Sequence, residues 1–108
     1  MTAKLEYDLI VTIVPVGKAP RVVDAARSAG AEGGTILVGR GTGIHEMARI
    51  FNIPIEPQKE LVLTLVPQSL TDQVSSAISE ASELTKPGHG IAFVIDVKRV
   101  MGIAHRNV

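Results

Sequence analysis

Cysteine is absent from the 108-residue sequence, so the protein has no disulfide framework and no thiolate chemistry. An excess of charge is absent too. Eleven Lys and Arg residues balance eleven Asp and Glu residues, so no net field favours DNA, RNA or anionic lipid as a partner. No apolar run approaches the roughly 20 residues that a membrane helix needs, and the sequence shows no basic-then-apolar leader. We therefore expect a cytoplasmic protein that does not bind nucleic acid.

The composition is nevertheless that of a folded domain. Hydrophobic residues make up 45% of the chain and charged residues 20%, which allows a buried core and argues against disorder. The length suits a single domain over residues 1–108. Because a domain this small buries only roughly 60–70% of its unfolded surface, association with further copies would stabilise it.

One sequence pattern occurs twice. Residues 9–15 read LIVTIVP and residues 61–67 read LVLTLVP, so that Thr12 and Pro15 recur as Thr64 and Pro67. Each segment is an apolar, β-branched run that ends at a proline, which is typical of a buried strand. The recurrence predicts one structural unit that is used twice.

Both halves of the chain follow the same plan. After the first strand, apolar residues recur at helical spacing between Pro20, which suits a helix start, and Gly30, which suits a helix end. In the second half the helical pattern spans residues 69–84, with Ser69 as a plausible N-cap and Asp72 completing a capping box. Strands are predicted at residues 7–15, 34–41, 60–67 and 90–97. The order is βαβ, a loop, and βαβ again.

Two βαβ halves in one short chain predict an α+β fold, the ferredoxin-like βαβ-βαβ sandwich. Right-handed crossovers place both helices on one face of a four-stranded antiparallel sheet. The other face is left uncovered, yet residues 9–14 and 61–66 are apolar on both sides of the pleat apart from the two threonines. Because an apolar sheet face of that size marks an interface, we expect the sheet to pack against copies of itself. The alternative is a monomer with an apolar sheet face.

A long connection, residues 42–59, separates the halves. Connections of this length in compact domains are usually functional or mobile. The spacing of Ile44, Met47, Ala48 and Phe51 is compatible with a short helix, whereas the segment NIPIEP that follows is not helical.

Two glycine-rich turns lie near the ends of predicted strands. VGRGTG, residues 38–43, precedes the long connection, and KPGHG, residues 86–90, holds the matching place before the last strand. Successive backbone N–H groups in such turns point at one anion and form a phosphate-binding nest. The two turns predict an anion or nucleotide site, and plain tight turns are the alternative.

No catalytic constellation is present, so we do not expect an enzyme. The sequence shows no serine nucleophile with a placed base, no paired carboxylates at a glycine-rich turn and no lysine in an evident apolar pocket. His45 and Glu46 are adjacent, but without a third ligand they favour a solvated loop over a metal site. His89 either touches a phosphate or merely sits in its turn, and residues 50–55 are either a docking patch or local core.

The whole arrangement resembles the PII nitrogen-regulatory signal protein family. The resemblance rests on LIVTIVP, GTILVGRGTG, PQKELVLTLVP and TKPGHGIAFVIDVKRVMGI in this order, and it covers nearly the whole chain. It implies a homotrimer that binds ATP or ADP in clefts between subunits. It also implies that the loop between the halves, the family's T-loop, docks on a membrane transporter or a metabolic enzyme and reports energy and nitrogen status.

The resemblance and the two glycine-rich turns together give two sets of candidate residues. The nucleotide-binding set is Thr35, Gly41, Thr42, Gly43, Thr85, Lys86, Gly88, His89 and Gly90. The partner-loop set is Ile44, His45, Glu46, Met47, Arg49, Ile50 and Phe51. No residue is assigned to catalysis or to a metal.

The departures from the family pattern concern the phosphates and the loop. Ile91 stands where the family has a lysine, and Gly102 and Ala104 stand where it has two arginines. Since each charge-assisted bond contributes roughly 1.5–3 kcal/mol, we expect AMP, ADP or ATP as the ligand, with a preference for fewer phosphates. The loop contains no tyrosine, which excludes its uridylylation, and His45 replaces the glutamine that helps hold magnesium and 2-oxoglutarate. The alternative is a metal-responsive or structural trimer related to divalent-metal tolerance proteins, without nucleotide.

Overall fold

The structure of the protein, a computed structural model, describes residues 5–42, 48–50, 53–55 and 57–103. The regular elements are, in chain order, β1 (Tyr7–Pro15), α1 (Ala19–Ser28), β2 (Thr35–Arg40), β3 (Ala48–Ile50), β4 (Ile53–Ile55), β5 (Gln58–Pro67), α2 (Thr71–Ser82) and β6 (Ile91–Val97). A 3-10 turn, Gln68–Leu70, precedes α2. The four long strands and both helices lie in the segments where the sequence predicts them.

The four long strands form one antiparallel sheet in the order β2-β5-β1-β6. The repeated strands β1 and β5 lie side by side at its centre, where Val11 faces Leu63, its equivalent in the repeat. Each half of the chain contributes one inner strand and one edge strand, and each crossover passes over a strand of the other half. The predicted ferredoxin-like sandwich is confirmed.

Both helices pack on one face of the sheet and bury the core there. Strand side chains alternate between the two faces, and the fully buried apolar side chains of both repeated strands point to the helices. The buried cluster consists of Ile10, Val14, Ala19, Val22, Ala26, Ala31, Val62, Val66, Val74 and Ile78. Within the described residues, no helix combines the length and the apolar character that a membrane span requires.

The opposite face, which we name the open face, carries no helix of the described chain. The strand register assigns to it the side chains that alternate with the core residues. Its exposed apolar side chains are Leu37, Leu65, Ile91, Phe93 and Ile95, which are 36–57% exposed. The apolar sheet face expected from the sequence is therefore present.

The two threonines of the repeat are buried without hydrogen bonds. Thr12 and Thr64 are 0% exposed, and neither Oγ1 atom has a hydrogen-bond partner within the described chain. A buried hydroxyl without a partner has lost its hydration and gained no bond. We therefore expect Thr12→Val and Thr64→Val each to raise the free energy of unfolding by about 1 kcal/mol, as measured by urea denaturation.

Thr71→Val is the control for this prediction. The Thr71 hydroxyl is also buried, but it donates a hydrogen bond to Asp8 Oδ2 at 2.8 Å. Its removal should therefore lower the stability. Equal effects of all three substitutions would contradict the assignment of unpaired hydroxyls.

The start of α2 differs from the prediction. The helix begins at Thr71, and Leu70 at its N-cap makes no side-chain capping bond, so the predicted capping box of Ser69 is wrong. The polar side chains here reach the sheet instead, because Thr71 Oγ1 and Gln68 Nε2 both donate to the carboxylate of Asp8. The turn therefore anchors α2 to β1 rather than closing on the helix's own amides.

The connection between the halves also differs from the prediction. Ala48–Ile50 pairs antiparallel with Ile53–Ile55, and the two strands form a separate hairpin. The short helix predicted around residues 44–51 is therefore wrong in its described part, because isoleucine on both strands favours extended backbone. The remaining residues of that prediction, 44–47 and 51, lie outside the described residues.

Candidate functional site

Three connections meet at one end of the sheet. β1 and β2 run in one direction, and β5 and β6 run in the other. The chain therefore leaves β1 and β2 at the same end where it enters β5 and β6. This end holds the β1–α1 turn, the central loop at residues 41–57 and the glycine turn at residues 83–90. Both glycine-rich segments found in the sequence are thus at one end of the molecule.

The sheet closes the base of the central loop. Arg40 and Gln58 form the last pair of the β2–β5 ladder, and the Gly41 N–H donates to the Pro57 carbonyl at 3.1 Å. Among the described residues, nothing lies within 4 Å of a Cβ built on Gly41, and Thr42 is exposed, so these residues leave the backbone open to a ligand. Of the other predicted residues, Arg49 and Ile50 lie in β3, and those outside the described residues are Gly43, Ile44, His45, Glu46, Met47 and Phe51.

Glu83, Lys86 and His89 are neighbours in the glycine turn, whose backbone is closed by hydrogen bonds from Lys86 N–H to Glu83 and from His89 N–H to Lys86. Glu83 ends α2 in the left-handed conformation, with a φ of 51°. Its Oε2 atom lies 2.8 Å from Lys86 Nζ and 3.7 Å from His89 Nδ1, while the predicted Thr85 is exposed beside them. Lys86, predicted to meet a phosphate, is thus engaged within its own turn, and an incoming phosphate would compete with Glu83 for it.

The two glycines of this turn have different roles. The φ of Gly90 is +131°, and a Cβ built there would lie 2.5 Å from the Ile13 carbonyl oxygen of β1. The φ of Gly88 is +78°, but a Cβ there would meet nothing within 4 Å. Gly90 therefore allows the chain to pass close to β1, whereas Gly88 leaves open space that a ligand can use.

The carboxyl group of Glu83 has a lowered pKa, mainly because Lys86 donates a hydrogen bond to it and adds a positive charge nearby, with smaller effects of His89 and Arg21. A carboxyl whose pKa falls on folding stabilises the folded state above its unfolded pKa, and this contribution is lost as the pH falls through the lowered pKa. We expect Lys86→Met to raise the pKa of Glu83 toward its ordinary value, as measured by an NMR titration of the side-chain carboxyl carbon.

Lys98→Met is the matched control, because it removes the same charge outside the turn. It should leave the titration of Glu83 unchanged. If the two variants shifted the Glu83 midpoint equally, the cause would be net charge and not the ion pair.

Thr35 lies in a different cleft from the glycine turn. It begins β2 and lines a cleft of about 280 Å³ together with Tyr7, Gly33, Gly34, Leu63 and Ile103. β2 and β6 are the opposite edges of the sheet, three strand spacings or about 14 Å apart. A single chain therefore does not bring Thr35 and the glycine turn into one cavity.

The glycine turn faces a second cleft, which sequence reasoning missed. Gly88 and His89 line it together with Lys18 and Arg21, which come from the β1–α1 turn and the start of α1. Its volume is about 150 Å³. The one sequence signal for this cleft is the segment GKAPR, residues 17–21, in which two cations flank a helix start. Nothing in that segment indicates that it lies beside the glycine turn.

Metal-binding side chains are sparse in the described part of the chain. No group of three or more His, Asp and Glu side chains in it is placed to hold a metal ion. The predicted pair of His45 and Glu46 lies outside the described residues.

Comparisons with known proteins identify the relatives of this fold. Over residues 7–107 the chain matches the family model of nitrogen regulatory protein P-II. Among solved structures, a Bacillus cereus protein related to NIF3 is similar with a TM-score of 0.70 and 22% identity over 91% of this chain, which spans only 27% of that protein. Arabidopsis thaliana PII bound to citrate is similar with a TM-score of 0.69 and 21% identity, over 93% of this chain and 82% of the plant chain. No curated protein matches the chain.

The structural similarities, at identities this low, establish the fold. Membership rests on the family model, because its match extends from the start of β1 to beyond the end of β6. The resemblance drawn from the repeated strands and the last segment of the sequence is confirmed. The chain belongs to the nitrogen regulatory protein P-II family.

Proposed function

We propose that the protein is a trimeric regulator, not an enzyme, that binds an adenine nucleotide between subunits and controls a transporter or an enzyme through its central loop. The observation that carries the proposal is the placement of the two glycine-rich segments. They lie at the same end of the sheet but at opposite edges. A closed ring of subunits would bring the central-loop base of one subunit to the glycine turn of the next.

The open face supports the assembly. Its exposed apolar side chains lie on three of the four strands, including both edge strands. An apolar surface that extends across the sheet to both edges suits a ring in which several sheets bury one another. The family resemblance favours three copies.

The cleft beside Thr35 supports a site for the base or ribose. It combines the apolar side chains of Leu63 and Ile103 with the glycine backbone that precedes β2. Small-molecule sites commonly have such an apolar lining with a few polar groups. In the assembled ring the phosphates would reach the central-loop base and a glycine turn. Because Ile91 supplies no charge there and Lys86 is held by Glu83, we expect few phosphates to be bound.

Calorimetric titration with AMP, ADP and ATP tests the proposal. We expect saturable binding of AMP or ADP, with ATP less than tenfold tighter than AMP, a difference of about 1.4 kcal/mol. Citrate belongs in the same series because the Arabidopsis PII is bound to it. Saturable binding of a divalent metal, with no nucleotide binding at millimolar concentration, would instead support the metal-responsive trimer.

Two glycine substitutions test whether the site is shared between subunits. Gly41→Val and Gly88→Ala place side chains at opposite edges of the sheet, and neither new Cβ meets an atom of the described residues within 4 Å. We expect both variants to keep the fold and to weaken nucleotide binding at least tenfold. Circular dichroism checks the fold. If only one of the two variants lost affinity, the two segments would not line one cleft.

A further inference from the structure

The cleft between the glycine turn and the β1–α1 turn lies on the helix-covered side of the sheet. Its apolar floor is formed by Val14 and Pro15 at the end of β1. Lys18 and Arg21 border it on one side, and Ser82 at the end of α2 borders it on the other. At about 150 Å³ it is too small for a nucleotide and takes about six non-hydrogen atoms, as a cavity of that volume holds benzene.

The cleft has an excess of positive charge. Glu83 is the acidic residue in its lining, and Lys86 already pairs with it. Neither Lys18 nor Arg21 forms an ion pair with a carboxylate of the described chain. Arg21 acts on Glu83 without forming an ion pair with it, so both cations beside the apolar floor can contact an anionic ligand.

The positive charge comes from side chains and not from the start of α1. The backbone N–H groups of Gly17 and Ala19 both donate to Glu60 Oε1, at 2.8 and 2.9 Å. Glu60 thus occupies the amides at the helix start and fixes the turn that carries Lys18. The turn is held in place before any ligand arrives, which lowers the entropy that binding would cost.

A buried hydroxyl at the cleft has no hydrogen-bond partner. Ser82 Oγ is inaccessible to solvent, and within the described chain nothing donates to it or accepts from it. Buried polar groups are rarely left unpaired in folded proteins. Because solvent does not reach this Oγ atom, a ligand oxygen does not reach it either, and Ser82 contributes only to the wall of the cleft.

We propose that this cleft binds a small carboxylate, with the carboxylate group between Lys18 and Arg21 and a short carbon chain on Val14 and Pro15. The guanidinium of Arg21 matches a carboxylate in two parallel hydrogen bonds. The apolar floor favours an acid with a carbon chain over inorganic phosphate, which has no apolar part. The bound acid would connect the β1–α1 turn to Gly88 and His89. This site goes beyond the proposed function and does not depend on it.

An NMR titration of the full-length protein tests the proposal, with butyrate as the probe and neutral butyramide as its uncharged isostere. We expect butyrate to shift the amide signals of Lys18, Gly88 and His89 saturably, and butyramide to leave them unchanged. The double variant Lys18→Met, Arg21→Met should bind butyrate at least tenfold more weakly, because it removes both charge-assisted bonds. A single variant, Arg27→Met, removes one cation from the last turn of α1, outside the cleft, and should bind normally.

Three outcomes would overturn the proposal: no saturable shift with butyrate at millimolar concentration, equal shifts with butyramide, or equal weakening in the R27M control. Inorganic phosphate is the third probe. Weaker binding of phosphate than of butyrate supports a role of the apolar floor, and equal or tighter binding would contradict the assignment to a carboxylate. Circular dichroism of each variant ensures that a loss of binding is not a loss of fold.

Discussion

Gly90→Val is expected to lower the free energy of unfolding by about 3 kcal/mol or more. The new Cβ would lie 2.5 Å from the Ile13 carbonyl oxygen, and the φ of +131° is one that valine rarely adopts. Neither conflict can relax cheaply, because Ile13 pairs with both neighbouring strands and is held in place. For a domain of this size the loss corresponds to a fall of about 12 °C or more in the thermal midpoint, measured by differential scanning calorimetry.

Gly88→Ala is the control for this prediction. Gly88 also has a positive φ, +78°, but a Cβ there meets nothing within 4 Å. Only the conformational strain remains, which costs about 1 kcal/mol. Similar losses for the two variants would show that the close approach to Ile13 does not matter. Any loss of ligand binding in a Gly90 variant must therefore be separated from a loss of stability, and Gly88 is the better position for testing binding.

Phe93→Lys is expected to dissociate the proposed trimer. Phe93 lies opposite Val11 on the open face and is 43% exposed in the single chain, so assembly would bury it. A lysine there would bring three like charges into an apolar interface, and burying an unpaired charge costs several kcal/mol per ion. Light scattering should give about 34 kDa for the unmodified protein, as expected for three chains, and a mass near 11.4 kDa for the variant.

Ser76→Lys provides the comparison, because it adds the same charge at an exposed position of α2. It should leave the mass unchanged. An unmodified protein with a mass near 11.4 kDa would contradict the trimer outright. A trimeric F93K protein would mean that the open face is not the interface. Circular dichroism of both variants ensures that a lower mass reflects dissociation and not unfolding.

The sequence predicts the architecture well because its strongest signals are redundant. Two nearly identical apolar runs predict β1 and β5. The right-handed crossover rule then leaves few possible arrangements for the remaining strands. The errors concern residues whose local preference competes with tertiary partners. Ser69 fits a capping pattern, but Gln68 and Thr71 are drawn to Asp8 on β1. The spacing over residues 44–51 likewise favours a helix, but Ala48–Ile50 forms a strand because it pairs with a second short strand.

The candidate site is less predictable, because its properties arise between distant parts of the chain. The glycine turns are visible in the sequence, but the pairing of Lys86 with Glu83 depends on the left-handed end of α2. The need for Gly90 depends on how close Ile13 passes. Lys18 and Arg21 are far from the glycine turn in the chain, and no local pattern indicates that they share a cleft with it.

The interleaved strand order has a consequence for how the chain reaches its fold. β1 and β2 belong to the first half but do not pair, since β5 lies between them, and β5 and β6 are likewise separated by β1. Neither half can therefore close a sheet by itself, although each carries a complete βαβ sequence. During synthesis the apolar β1 has no strand to pair with until β5 has left the ribosome. The nascent chain can therefore associate wrongly with other chains. Such distant pairings make folding slow and cooperative, so a chain cut within the central loop should yield two fragments that fold only together.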